Sequence, residues 1–285
     1  MSFGWRASRR PLRQLSTCTW GFISAGVEPD PRYFYTLVCS REQTQQRRSG
    51  HAQALGHELG IAAMTWFEVH LAVHRREPQR ALEQARRAMA LSEQHGFALW
   101  HEIAKLGSGV ALIQLGRVRQ GRDQIHGWLA WSRAMGYRAI RGFSLASAAQ
   151  GESALKHWDA AASLYDDAER ELEHTGERWF EAELYRLRGE YVLARYGKAG
   201  HEEAHTLFAR ALRVSRHQGA RMWELRACTS IARQWHDQGR HTDAMNILSP
   251  VFHAFTEGHE LQDLREARTL LDQLSGKTGP AATHD

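Results

Sequence analysis

TGERWFEAELYRLRGE, residues 175–190, contains the end of one predicted helix, a glycine turn at Gly176 and the start of a second predicted helix. Glycine is common just beyond the last turn of a helix, because it adopts positive φ without a clash at Cβ. The same turn recurs at Gly56, Gly96, Gly136, Gly176, Gly219 and Gly258, with steps of 40, 40, 40, 43 and 39 residues. A fixed period of this size indicates stacked helix pairs, none of which can bury its apolar face alone.

A second repeated pattern begins about fifteen residues before these turns. Its form is small-x-x-x-bulky-x-x-small or apolar, and its members are Ala81/Ala85/Ala88, Gly121/Ile125/Trp128, Ala161/Tyr165/Ala168, Ala204/Phe208/Ala211 and Ala244/Leu248/Val251. The starting positions are 40, 40, 43 and 40 residues apart, so both patterns place a three-residue insertion in the same unit. We expect the small residue to let two helices approach closely and the bulky residue to fill the space between them.

Together the two patterns predict an all-α fold, a right-handed α-solenoid with a period of about 40 residues. The predicted helix pairs are 57–75 with 78–95, 98–115 with 118–135, 138–154 with 158–174, 178–196 with 201–217, and 220–237 with 241–255. An apolar stripe over 260–274 predicts a C-terminal capping helix, and it consists of Leu261, Leu264, Ala267, Leu271 and Leu274. We expect a basic, poorly structured segment over 1–50, the solenoid over 51–275 and a disordered tail over 276–285.

A line of polar residues follows the glycine turns. Large apolar residues stand four positions after these turns, at Trp100, Ile140, Phe180 and Trp223, and are predicted to lie in the core. The next position is polar in each case: His101, Arg141, Glu181 and Glu224. On stacked helices these residues would lie roughly 8–10 Å apart, which suits an extended peptide or a partner helix. We predict that this line, with Glu183 and Arg186, binds a partner; a merely solvated helix face is the alternative.

The positive charge of the chain is unevenly distributed. Residues 1–50 hold eight arginines, no lysine and three acidic residues, whereas residues 51–285 hold 29 basic and 29 acidic residues. A surface that follows nucleic-acid phosphates needs basic residues clustered on the folded body. The charge distribution therefore disfavours nucleic-acid binding by the repeats, and it leaves the arginine-rich N-terminus as the segment that could contact DNA.

Cysteine usage and hydropathy indicate a cytoplasmic protein. Cys18, Cys39 and Cys228 are an odd number of widely spaced cysteines, which argues against a disulfide framework or a thiolate zinc site. Cys228 has apolar neighbours and is predicted to be a small core residue. No uncharged run approaches the roughly eighteen residues of a membrane span. We therefore expect no membrane association, and a reducing compartment.

The sequence His201-Glu202-Glu203-Ala204-His205 matches the zincin pattern H-E-x-x-H. On a helix, His201 and His205 would share a face and could bind zinc, with Glu202 as the general base. Against this interpretation, Ala204 belongs to the packing pattern and the motif falls at the exposed first turn of a predicted helix. We therefore predict no metal, no other cofactor and no catalytic residue, and keep a zinc-dependent hydrolase as an alternative.

Two resemblances concern the repeats. The pattern small-x-x-x-aromatic-x-x-Ala resembles the second helix of tetratricopeptide repeats, although the period of 40 exceeds the usual 34. A closer resemblance rests on four parts of the sequence. They are residues 175–190, the run ELRA at 224–227, LSPVF at 248–252 with FTEG at 255–258, and DLREA at 263–267 with LLD at 270–272. They resemble the C-terminal repeat region of bacterial proteins that combine a class III adenylate/guanylate cyclase domain with an AAA-type ATPase module. Similar repeats end some bacterial transcriptional regulators.

This resemblance covers about residues 51–275 and is strongest after residue 170. It implies a tetratricopeptide-like sensor or scaffold region, but neither cyclase nor ATPase activity, because the nucleotide motifs of both domains are missing from this sequence. We expect a non-catalytic module that binds a protein or peptide, or senses a ligand, on the surface lined by the first helix of each pair. The resemblance suggests a cyclase, an ATPase or a transcriptional signalling protein as the partner. A DNA-associated regulator that acts through the arginine-rich N-terminus is a further alternative.

Overall fold

Residues 58–276 are described in the structure, a computed structural model, and their fold is all-α. Within this range the chain forms eleven α-helices and one short 3-10 helix, Gly197–Gly200, and no strand. The α-helices are α1 Glu58–His74, α2 Pro78–His95, α3 Ala98–Gln114, α4 Val118–Ala134, α5 Arg141–Ala154, α6 Trp158–Thr175, α7 Glu181–Tyr196, α8 His201–Gln218, α9 Arg221–Asp237, α10 His241–His253 and α11 Gln262–Leu274. The predicted basic segment 1–50 and the predicted tail beyond Gly276 lie outside the described residues.

The predicted helix pairs are present, with two helices that begin three residues later than expected. Helix α5 begins at Arg141 and helix α7 at Glu181, because the residues before them form the turns. Glu177 stabilises both turns: its carboxylate accepts hydrogen bonds from the Ile140 backbone N–H at 3.1 Å and from the Trp179 indole at 2.9 Å. Ile140 is half-buried and has φ 57°, so the prediction that it lies in the core is only partly correct.

The glycine turns adopt the conformation that the period predicts. Gly176 follows α6 with φ 72° and donates its backbone N–H to the Leu172 carbonyl at 2.9 Å. The other glycines of this pattern within the described residues also have positive φ: Gly96, Gly136, Gly219 and Gly258. A residue with Cβ would be strained in this conformation. Gly96, Gly136, Gly176 and Gly219 each lie within two residues of a helix end, whereas Gly258 lies in the loop before α11.

The second pattern forms the contacts between the two helices of a pair. In α4 a Cβ added at Gly121 would lie 2.4 Å from the Gly109 carbonyl oxygen of α3, so only glycine permits this approach. Ile125 and Trp128 follow on the same face and are 0% and 1% exposed. The corresponding residues of the other pairs are also buried, except Val251, which is half-buried. Close approach at the small residue, with bulky neighbours filling the space, is therefore confirmed.

The helices form two layers. Each helix packs against the next one in the chain, and the odd-numbered helices α1, α3, α5, α7, α9 and α11 also pack against one another in order. We call these the inner helices and the even-numbered ones the outer helices. In α11, Leu264, Ala267 and Leu271 are buried and Arg265 and Arg268 are exposed, as expected of a helix that ends a stack. No helix between Glu58 and Gly276 combines the length and the apolar composition that a membrane span requires.

Candidate functional site

The inner helices surround a cavity of about 300 Å³. All six contribute to its wall, together with Pro78, the first residue of α2. We call it the central cavity, and its lining is Val73, His74, Arg76, Pro78, Val110, Ile113, Gln114, Phe143, Ser147, Gln150, Phe180, Glu183, Arg186, Leu187, Glu190, Arg226, Thr229, Ser230, Arg233, Gln262, Asp263 and Glu266. The wall from α1, α3 and α5 is half apolar and half uncharged polar, whereas α7, α9 and α11 supply most of the charge.

Arg226 of α9 joins three other inner helices at the cavity wall. Its Nε and Nη2 donate to Asp263 Oδ2 of α11 at 2.9 and 2.7 Å, and its Nη1 donates to Glu183 Oε1 of α7 at 3.0 Å. The same Nη2 donates to the backbone carbonyl of His74 at the end of α1, at 2.6 Å. Arg226 is only 9% exposed, and its guanidinium also lies 4.7 Å from the Trp223 ring centroid.

Arg76 makes a second connection between the two ends of the described chain. It lies in the turn after α1, and its Nη1 is 3.0 Å from Asp263 Oδ1 and 2.9 Å from Glu266 Oε1. We call the contacts of Arg76 and Arg226 with Asp263, Glu266 and the His74 carbonyl the clasp. The clasp links the end of the first inner helix to the last inner helix through these side chains, all of which line the central cavity.

The row of charges continues along α7. Arg186 donates from Nε and Nη2 to Glu183 at 2.7 and 2.8 Å, and from Nη1 to Glu190. Burial would raise the pKa of Glu183, but the positive charges of Arg186 and Arg226 outweigh it, so this pKa is lowered. Glu183 is therefore an anion although it is only 5% exposed.

Glu266 ends the row on α11. Burial would raise its pKa, but hydrogen bonds from Arg76 and from Arg233, the latter at 2.8 Å, lower it to about 2. The cavity wall therefore carries four arginines and four carboxylates, namely Arg76, Arg186, Arg226, Arg233, Glu183, Glu190, Asp263 and Glu266.

An aromatic cluster surrounds His70 and His74 of α1. The His70 ring of α1 is 5.5 Å from the Phe143 ring and 5.4 Å from the Trp179 ring, measured between centroids. The His74 ring is 5.5 Å from the Trp223 ring. Burial lowers the pKa of His70 to about 3, and burial with the nearby charge of Arg226 lowers the pKa of His74 well below its ordinary value. Both imidazole rings are therefore neutral, and they pack among these aromatic rings without a buried charge.

Of the predicted partner-binding residues, only Glu183 and Arg186 line the central cavity. Glu181 is 8% exposed and accepts a hydrogen bond from Arg178 at 3.0 Å. Glu183 and Arg186 likewise bind each other and their neighbours.

The remaining three predicted residues lie elsewhere on the helices. The His101 Nδ1 is 3.2 Å from the Glu102 carboxylate, the Arg141 Nε is 3.6 Å from Glu171, and Arg216 donates to Glu224 at 2.8 Å. Each member of the polar line therefore has a charged neighbour of its own, and partner binding along the line stays a prediction.

The residues of the H-E-x-x-H motif contact the neighbouring helix α9. The His201 carbonyl accepts a hydrogen bond from Gln234 at 2.7 Å, and its ring Nδ1 is 3.1 Å from the Gln238 amide. The His205 ring packs on the Trp235 ring with centroids 5.6 Å apart. Within residues 58–276, no group of three or more His, Cys, Asp or Glu residues is arranged to hold a metal ion.

Sequence reasoning missed most of the cavity lining, although the repeat contains a signal for it. Phe143, Glu183 and Arg226 occupy equivalent positions of α5, α7 and α9, two residues after the predicted polar line. Gln150, Glu190 and Arg233 form a second equivalent set, seven residues further along. Aligning the units and selecting positions that are uncharged in α5 but charged in α7 and α9 would have identified both sets.

A comparison of the chain with protein-family models finds no match, and a comparison with curated proteins finds none either. The resemblance to the repeats of cyclase–ATPase proteins therefore stays a prediction. What the arrangement offers chemically is a partly enclosed, charge-balanced cavity suited to binding.

Proposed function

We propose that this protein is a non-catalytic regulatory module that senses a small ligand in its central cavity. Its scaffold would be a right-handed, tetratricopeptide-like α-solenoid of five helix pairs and a capping helix, with a unit of about 40 residues. The order of helix contacts supports this scaffold, because inner helices pack on inner helices along the stack. The observation that carries the proposal is the cavity itself, enclosed by every inner helix.

The size of the cavity favours a small molecule over a peptide helix. A cavity of about 300 Å³ lies at the lower end of the range of small-molecule pockets, which is about 300–1,000 Å³. A helix about 10 Å across would fit less than one of its 5.4 Å turns into that volume. The clasp supports the same choice, because it holds α1 and α11 together where a partner helix would have to enter.

The resemblance of the repeats suggests what would respond to the ligand. We propose a cyclase or ATPase module, or a transcriptional signalling protein, as the cytoplasmic partner. The outer helices leave charged side chains exposed, such as Arg86 and Glu93 of α2 and Arg213 of α8, and a partner could contact them without entering the cavity.

Ligand screening by thermal unfolding tests the proposal. The full chain would be heated with a panel of amino acids, sugars, dicarboxylates and nucleosides. A ligand present at about 100 times its Kd raises the free energy of unfolding by about 2.7 kcal/mol, which corresponds to a Tm increase of roughly 5–10 °C for a domain of this size. We expect at least one small polar compound to produce such an increase.

A matched pair of variants locates the binding site. Gln150→Trp adds a large side chain to the cavity wall, whereas Gln79→Trp adds the same side chain at an exposed position of α2. The Tm increase should disappear in Gln150→Trp and persist in Gln79→Trp. If no compound of the panel raises Tm, or if Gln150→Trp leaves the increase intact, the central cavity is not the sensor site.

A further inference from the structure

Two opposite charges in the central cavity keep unused hydrogen-bonding capacity. Glu190 of α7 accepts hydrogen bonds at Oε1, from Arg186 and from the Ser230 hydroxyl at 3.2 Å. Arg233 of α9 donates from Nη2 to Glu266 at 2.8 Å. Among the contacts of the described residues, none engages Glu190 Oε2, or Arg233 Nε and Nη1. Both side chains are partly open to solvent, at 42% and 47% exposed.

These two groups face the cavity from equivalent positions of neighbouring helices. Glu190 and Arg233 are 43 residues apart, the step of the unit that contains the insertion. Packed helices lie about 8–10 Å apart, and no ion pair joins the two side chains within the described residues. A molecule with an ammonium group and a carboxylate group could therefore bridge them, with one hydrogen-bonded contact at each end.

The balance of charge selects a zwitterion over a simple ion. A dicarboxylate could bind Arg233, but the Glu190 and Glu266 carboxylates would repel it. A diamine would be repelled by Arg186 and Arg233. A ligand with both charges places its ammonium group on Glu190 and its carboxylate on Arg233, and its net charge of zero matches a wall of four arginines and four carboxylates. Gln114 adds a further acceptor: its Oε1 is buried without a hydrogen-bond partner, while its amide donates to the Val73 carbonyl at 2.9 Å.

The opposite wall of the cavity accommodates an apolar substituent. Val110 and Ile113 of α3 and Phe143 of α5 line it, and each is 4–9% exposed. A branched or aromatic side chain on the ligand would bury apolar surface there, at about 25 cal/mol per Å². The cavity volume of about 300 Å³ accommodates such a molecule.

We propose that the central cavity binds a free α-amino acid with an apolar side chain. The Glu190 carboxylate receives its ammonium group, the Arg233 guanidinium receives its carboxylate, and the wall of Val110, Ile113 and Phe143 receives its side chain. This assignment rests on the proposed sensor function and specifies its ligand class.

Calorimetric titration of the full chain tests the assignment with L-leucine and L-phenylalanine as probes. N-acetyl-L-leucine lacks the ammonium charge and L-leucinamide lacks the carboxylate, so each should bind at least tenfold more weakly than L-leucine. Glu190→Gln and Arg233→Gln should each weaken L-leucine binding at least tenfold. The control variants Glu93→Gln and Arg86→Gln remove the same charges from exposed positions of α2 and should leave the affinity unchanged.

The matched probes distinguish a lost ligand contact from general damage to the fold. Glu190→Gln should reduce the difference in affinity between L-leucine and N-acetyl-L-leucine. Arg233→Gln should reduce the difference in affinity between L-leucine and L-leucinamide. If a sugar or a dicarboxylate binds in the screen and amino acids do not, the assignment is wrong and the sensor function stands. If no compound of any class binds, both the assignment and the sensor function fail. If Glu190→Gln and Arg233→Gln both bind L-leucine as tightly as the unchanged protein does, the assignment alone is refuted.

Discussion

Replacing Arg226 with methionine should lower the free energy of unfolding by about 3–5 kcal/mol. Methionine preserves most of the side-chain volume but removes the four hydrogen bonds that Arg226 donates to Asp263, Glu183 and the His74 carbonyl. The two acceptor carboxylates stay in place and are only 4–5% exposed. Buried carboxylates that lose a cation are costly, so the loss should exceed that of an ordinary surface ion pair.

Urea unfolding followed by circular dichroism measures this change, with the m value checked for constancy. A double-mutant cycle with Asp263→Asn then separates the pair from its surroundings. The double variant has the neutral side chain of asparagine at position 263, so no buried charge there lacks its partner. Its loss in free energy of unfolding should be about 1–3 kcal/mol smaller than the sum of the losses of the two single variants.

Arg233→Met is the matched control, because Arg233 lies on the same helix with a 47% exposed side chain and one ion pair. It should cost no more than about 1 kcal/mol. A loss below about 1 kcal/mol for Arg226→Met, or additive effects in the cycle, would refute the reasoning that the clasp stabilises the closed arrangement.

Three further predictions concern packing and protonation. Gly121→Ala should destabilise the protein by about 1–3 kcal/mol, since the added Cβ would lie 2.4 Å from a backbone oxygen of α3. Gly127→Ala should stabilise it by up to about 1 kcal/mol, because the added Cβ would have only a lysine Nζ nearby, at 4.0 Å. Urea unfolding compares the two variants. The folded pKa of His70 is about 3, below its unfolded value near 6.5, so the unfolded state binds the proton first. The free energy of unfolding should therefore decrease as the pH is lowered from 6.5 towards 3, by up to about 1.4 kcal/mol per pH unit. His70→Phe should weaken this dependence of stability on pH, and His217→Phe, at an exposed position, should not. Burial raises the pKa of Cys228 to about 12, so iodoacetamide should label it in urea but not in the native protein, as peptide mass mapping would show.

The repeat made the helices predictable because its signals are local. A glycine such as Gly176 ends a helix through its own backbone conformation, and the small–bulky pattern around Gly121 acts between helices that are adjacent in sequence. These features depend on residues within one unit, so the spacing alone placed the helix pairs. The two late helix starts depend on Glu177, whose bonds to Ile140 reach back into the preceding unit.

The central cavity was not predictable because its contacts are long-range. Arg226 and His74 are 152 residues apart, and Arg76 and Asp263 are 187 residues apart. Such pairs join residues of different units, and no pattern within one unit predicts them. The sequence therefore predicted a polar line beginning at His101, but it did not predict the ion pairs among the charged residues of the central cavity.

The row of charges gives the proposed ligand site a physical connection to the ends of the described chain. From Glu190 the contacts pass through Arg186, Glu183 and Arg226 to Asp263, and from Arg233 they pass through Glu266 to Arg76. Both routes end in the clasp between α1 and α11. A ligand that donates a hydrogen bond to Glu190, or accepts one from Arg233, would change the electrostatic potential at the clasp residues. Binding in the cavity and closure of the clasp would then be thermodynamically linked, so Arg226→Met should alter ligand affinity although Arg226 is not assigned a ligand contact.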